Sequence, residues 1–255
     1  MLQTHTRAKL SLEDLQFVVA ALCRPGEREA TLFKLLADAE VRDAMLEHPR
    51  VLECLLEARQ PLAITPFLYF YLLVRRALKD FEIDDRGVAE YVASLLTEFG
   101  KAGRAYRTHE AAAKEYHYLV DIMKDLLDAG HEEAFYLRSH LGDYALFLTG
   151  LFPAFIYHRA KYRPPAPGFS YYETIGSNNF RLASQHNCAE RYQLSETLEF
   201  LGRRFKRVRL ALNHAAENYM HLDRNAAGLD GVMRRVDQFI AQQQGEAFDQ
   251  SDWQS

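Results

Sequence analysis

From Arg138 to Ser184 the chain reads RSHLGDYALFLTGLFPAFIYHRAKYRPPAPGFSYYETIGSNNFRLAS. The helix expected at its head, His131 to Gly150, carries apolar residues almost all round, the pattern of a central helix packed on several sides. Such a helix needs other helices to cover it. Phe152-Pro153 predicts the start of a shorter one, since proline at the first helical position lacks only a donor that has no partner there. RPPAPG, residues 163–168, is the strongest break in the chain, because consecutive prolines favour extended backbone. Ser170 with Glu173 then reads as a capping box, opening a helix to about Asn187.

Working outward, helix signals continue in both directions. Ser11 with Asp14 resembles a capping box ahead of Leu12, Leu15, Val18, Val19 and Leu22, and Pro25-Gly26 follows as a stop. Further helices are expected through EREATLFKLLAD, VRDAMLEH and RVLECLLEAR, the last two separated by Pro49. Thr65-Pro66 is a helix entry, and the helix runs to about Lys79 with Arg75, Arg76 and Lys79 in its last turns, where positive charge suits the dipole. Asp84 or Asp85 begins the next, ending near Gly100. From Thr108 to Asp128 the spacing gives an amphipathic helix with Ala112, Tyr116, Leu119, Val120, Met123, Leu126 and Leu127 on the apolar face. Ser195 opens a long helix to about Leu222, with Leu201, Phe205, Val208, Leu212, Ala215, Tyr219 and Leu222 aligned, and a last helix is expected over Gly231 to Gln243. No segment shows strand alternation, and no repeat or low-complexity tract occurs. The expected fold is therefore all-α: a compact multi-helix bundle of about ten helices with a long C-terminal helix, one domain over residues 1–255, with 163–168 as a candidate subdomain break.

Composition excludes some function classes. The chain has 255 residues, 48% of them hydrophobic, enough apolar matter for a large core. A net charge of -4 with both signs interspersed argues against general attraction to nucleic-acid phosphates. The apolar runs Pro61 to Val74 and Tyr144 to Tyr157 fall short of the roughly 20 residues needed to span a bilayer, so no membrane partner is expected. Cys23, Cys54 and Cys188 form no CxxC pair and suggest neither a disulfide framework nor a thiolate zinc site. With no signal-peptide core in the first residues, a cytoplasmic location is expected.

No motif names a reaction. GxSxG, GxxxxGK and HExxH do not occur, so neither a serine-hydrolase elbow, a phosphate loop nor a zinc-protease helix is supported, and no cofactor is indicated. The chemistry-bearing constellation lies in the opening stretch. His140 and Asp143, three apart on the central helix, neighbour one another; a buried carboxylate costs several kcal/mol unless it meets a cation, donors or water. One reading joins Arg138, His140 and Asp143 to Tyr171, Tyr172 and Glu173 across a buried pocket between residues 131–150 and 170–187. There Arg138 would clamp an anion, the His-Asp pair would orient, and the tyrosines would supply walls and hydroxyl donors. The competing reading is a His-Asp bond that merely joins two helices. Gly142, Gly150 and Gly176 each cost about 1 kcal/mol in a helix, which close helix crossing or close approach of a ligand would offset. The run from Gly176 to Asn179 allows a local helix irregularity as well.

Three weaker signals remain. His214, Glu217 and His221 are spaced three and four apart, a stripe that fits a divalent metal or a solvated surface. Arg203, Arg204, Lys206, Arg207 and Arg209 form the densest basic cluster, either for phosphate or an acidic partner or as a surface balanced by Glu196 and Glu199. His117 with Asp121 is a polar-face pair, while His186 and Cys188, two apart, do not face each other as a thiol-activating pair. Three function classes follow: a binding protein for a small polar or anionic ligand or a protein partner, an enzyme using His140 and Asp143 in acid-base chemistry or a helix-borne metal, and an interaction module with an exposed apolar patch.

The segments FLYFYLLVRRALKD, EYVASLLTEFG, HLGDYALFLTGLFP and SYYETIGSNNFRLAS resemble those of a family of uncharacterised bacterial helical proteins, over most of the chain from Pro61 onward. The resemblance implies a bacterial source and a helical fold. It carries no catalytic assignment.

Overall fold

A computed structural model describes residues 10–24, 29–58, 62–100, 119–162 and 167–220. Among these residues every regular element is a helix. Four short helices lead: α1 (Leu12–Leu22), α2 (Glu29–Leu35), α3 (Ala39–Leu46) and α4 (Pro49–Glu57). Then come α5 (Pro66–Asp80), α6 (Arg86–Phe99), α7 (Leu119–Asp128), α8 (His131–Leu151) and α9 (Pro153–Tyr162), followed by α10 (Phe169–Ser184), α11 (Asn187–Arg191) and α12 (Ser195–Asn218). No described helix is long and apolar enough to cross a membrane.

Local chemistry explains the starts. Ser11 and Asp14 make the reciprocal capping box, each side chain taking the other's backbone N–H at 3.1 Å. Asp14 does more, since its carboxylate also accepts the Thr65 backbone N–H at 2.7 Å and the Thr65 hydroxyl at 2.8 Å. Thr65 in turn caps α5 at Leu68 N, so one buried carboxylate ties the start of α1 to the start of α5. Asp85 caps α6 through Val88 N at 2.9 Å, and Gly100 closes it.

α8 is the hub. It is covered chiefly by α10 and α12, with α5 and α6 packed together beside α12. From His140 to Leu151 every residue is buried, on all sides of the helix, as its all-round apolar pattern predicts. Its glycines are contact points: a Cβ at Gly142 would lie 2.6 Å from the Phe180 ring, and one at Gly150 2.9 Å from Leu212. At Gly176 on α10 a Cβ would run into Phe205 and come within 2.9 Å of Ala145. Close crossing, rather than a helix irregularity, is what Gly176 serves, for α10 runs unbroken through Asn178 and Asn179.

Four expectations are corrected or bounded. Ser170 and Glu173 form no capping box: the cap lies two residues earlier, at the extended Gly168, which offers no side chain, and α10 ends at Ser184 rather than near Asn187. On α7 the buried residues are Leu119 and Ile122, whereas Val120, Met123 and Leu127 are exposed, because the helix presents Ile122 and not the Val120 side to its neighbours. α12 is kinked at Arg204, where the Ser177 hydroxyl donates to the Gly202 carbonyl at 2.7 Å and competes with the helical ladder. Residues 101–118, with His117 and the start of the helix expected from Thr108, lie outside the described residues, as do residues 163–166 of the proline break and residues 221–255 with the last expected helix.

Candidate functional site

Asp143 and His140 both point into the protein, 6% and 3% exposed. In mid-helix the backbone N–H groups around them are used by the α8 ladder, so polar partners come from side chains. Tyr91 on α6 supplies one, its hydroxyl donating to Asp143 Oδ1 at 2.8 Å. The approach is built by a glycine: Gly142 lets the Phe180 ring lie against α8, and Phe180 meets the Tyr91 ring edge-on at 6.2 Å. Burial, then the Asp143 charge and bond, push the Tyr91 hydroxyl well above its ordinary range, so it stays a donor across physiological pH. The His140 ring stands 5.6 Å from Phe99 and 6.2 Å from Tyr144. Glu90 and Ser94, one turn apart on α6, are buried as well. Asp143, His140 and Tyr91 thus bring a carboxylate, an imidazole and a phenol hydroxyl among buried aromatic rings.

The six residues singled out in the sequence do not form one constellation. His140 and Asp143 share the buried flank of α8, and Tyr172 is buried on α10. Arg138 is half-buried and reaches Asn179 Oδ1 at 3.4 Å. Tyr171 turns toward α7, its hydroxyl 3.7 Å from Met123 Sδ. Glu173 pairs with Arg209 of α12, Nε to Oε1 2.7 Å. Arg209 belongs to the basic cluster in sequence, but it sits on the buried flank of α12, stacked over Phe169 and bonded to Asn213 Oδ1 at 2.8 Å. Asn213 donates to the Thr149 and Gly150 carbonyls at 2.8 and 2.6 Å, tying α12 to the last turn of α8.

Tyr91, Glu90, Ser94 and Asn179 are buried polar side chains that the sequence pattern does not single out. The glycine at 142 was the legible clue, for a helical glycine beside a buried carboxylate marks where a ring from another element comes close.

The weaker signals resolve differently. Arg203 pairs with Glu199 at 2.6 Å and Arg207 with Glu82, as on a balanced surface. His214 Nδ1 lies 3.1 Å from Asn218 Nδ2 and its Nε2 3.9 Å from Asp80, while His221 is outside the described residues. Among the described residues no three His, Cys, Asp or Glu side chains converge as for a metal ion. His186 uses Nδ1 to accept the Cys188 backbone N–H at 3.0 Å, capping α11 instead of activating the thiol. The three cysteines are free thiols.

Comparison with known proteins adds no assignment: no family model, curated protein or solved structure matches this chain.

Proposed function

We propose that the protein binds a small polar ligand in the interior between α6, α8 and α10, in a cytoplasmic setting that suits its free thiols. The single observation that supports this reading is the buried Tyr91 to Asp143 bond, with His140 one turn away on α8 and buried as well. Packing alone gains nothing from such groups, since each gives up hydration that an aliphatic side chain of similar volume would not need. The Asp143 carboxylate favours a ligand that brings hydrogen-bond donors or positive charge. An anion would instead call on Arg138, drawing it away from Asn179. The enzyme reading shares these residues, with His140 as acid or base. The interaction-module reading draws on a different feature, the exposed Val120, Met123 and Leu127 of α7.

The test is a thermal-shift screen of the purified protein against small amines, polyols and carboxylates, repeated on Asp143→Asn and His140→Ala. A ligand that raises Tm in the wild type should leave Asp143→Asn unmoved, although that variant keeps its fold. A His140→Ala protein that binds the ligand as tightly as wild type while losing much of its thermal stability would move the histidine to scaffold. Equal binding by wild type and Asp143→Asn defeats the proposal.

A further inference from the structure

A separate cluster lies at the junction of α3, α5 and α6. Glu47, the residue that closes α3, turns its carboxylate onto three cations of the main body. Arg75 reaches Oε1 with Nε at 3.1 Å and with Nη2 at 3.0 Å, Arg86 Nε reaches the same oxygen at 2.5 Å, and Lys79 Nζ reaches Oε2 at 2.5 Å. Burial would raise the Glu47 carboxyl, but the bonds from Arg86 and Lys79 and the charge of Arg75 outweigh it and hold the group down to about 2. Two further acids take part, Asp84 on Arg75 and Asp43 at 3.6 Å from Arg86.

Two details go beyond an ordinary ion network. Arg75 is 4% exposed, and its enclosed Nη1 has no hydrogen-bond acceptor among the described residues. Lys79 and Arg86 are roughly two-fifths exposed, so the cluster has a buried arginine as its floor and mobile-length cations at a solvent-facing rim. A carboxylate offers two oxygens to this socket. A tetrahedral oxyanion offers four, enough to serve Lys79, Arg86 and the Nε and Nη2 edge of Arg75 together.

We propose that Arg75, Lys79 and Arg86 form a binding site for a small oxyanion of the phosphate class, which Glu47 fills from within as a tethered competitor. When the Glu47 side chain swings out, three cations face two acids and the rim admits an anion from solvent. The site is independent of the interior around Asp143.

Isothermal titration of the full chain with inorganic phosphate at pH 7.5, against sodium chloride of equal ionic strength, tests this. Wild type should bind phosphate weakly and saturably. Glu47→Gln, which keeps the shape and removes the competing charge, should bind at least tenfold more tightly, and adding Arg86→Gln should abolish the gain. Lys79→Met in the otherwise native chain, a change at a half-exposed position, should weaken wild-type binding fivefold or more, which keeps the proposal testable if Glu47→Gln does not fold. Equal affinity in wild type and Glu47→Gln, binding that chloride reproduces, or an unchanged Lys79→Met overturns it.

Discussion

Asp14 sits in the first turn of α1 and Asp143 in the middle of α8, and both carboxylates are buried. Asp14 meets the backbone N–H groups of Ser11 and Thr65 and the Thr65 hydroxyl, donors that helix ends and loops leave over in any case. Folding therefore needs an acceptor at that place, and Asp14 is it. Around Asp143 no such surplus exists, because a mid-helix backbone is already paired. Its donor Tyr91 is a side chain brought from α6, so both members of the pair could be aliphatic without leaving a helix end unsatisfied. Of two buried acids, one answers to backbone donors at a helix start and the other takes a side-chain hydroxyl in mid-helix. That difference is why the second is the better functional candidate.

Removing the acid should separate them most clearly. Asp14→Ala loses the α1 cap and strands the partly buried Thr65 N–H, for a combined cost of about 2–3 kcal/mol. Urea unfolding at pH 7 measures it, with Asp143→Asn as the comparison at about 1 kcal/mol or less. Equal losses at the two positions would erase the distinction.

Acid offers a second and smaller lever on the N-terminal side. Glu47 titrates near 2 in the folded chain, below its ordinary value of 4.5, so its stabilisation is complete above about pH 4.5 and fades as pH falls toward 2. Because Lys79 and Arg86 are partly solvent-screened, the contribution is about 1–2 kcal/mol. Subtracting the stability of Glu47→Gln from that of wild type at each pH should give a difference that shrinks between pH 5 and pH 2. A difference that stays flat over that range would remove Glu47 from the junction's energetics.

The same contrast marks what could be read from the chain. Ser11 and Thr65-Pro66 were legible because caps act within three or four residues, the α6 start was legible to within Asp84 or Asp85, and α8 was legible because burial on all sides leaves no polar stripe. Ser170 misled because the capping-box spacing was present, while the preceding Gly168 already held the extended conformation that starts α10. Glu173 was then free for Arg209, 36 positions along the chain, a partner that no local pattern announces. Tyr91 was invisible for the same reason. Only the fold brings α6 against α8, and only the gap over Gly142 seats Phe180 where it can steady the tyrosine ring.

The finest test addresses that tyrosine. Tyr91→Phe keeps the ring against Phe180 and deletes only the donor to Asp143, so the loss should be about 1 kcal/mol. In a double-mutant cycle with Asp143→Asn the coupling should be of the same size, since each change removes one end of a single bond. Its pH dependence carries the argument further. The hydroxyl is held protonated well above its ordinary value of 10, chiefly by burial and then by the Asp143 charge. A group raised in this way contributes stability that is whole below its unfolded value and declines only above it. The gap between wild type and Tyr91→Phe should therefore stay level from pH 6 to about pH 9.5 and narrow only beyond about pH 10. A gap that stays level well beyond about pH 10 would mean that the hydroxyl ionises like an exposed phenol, and the interior around Asp143 would then be open to water.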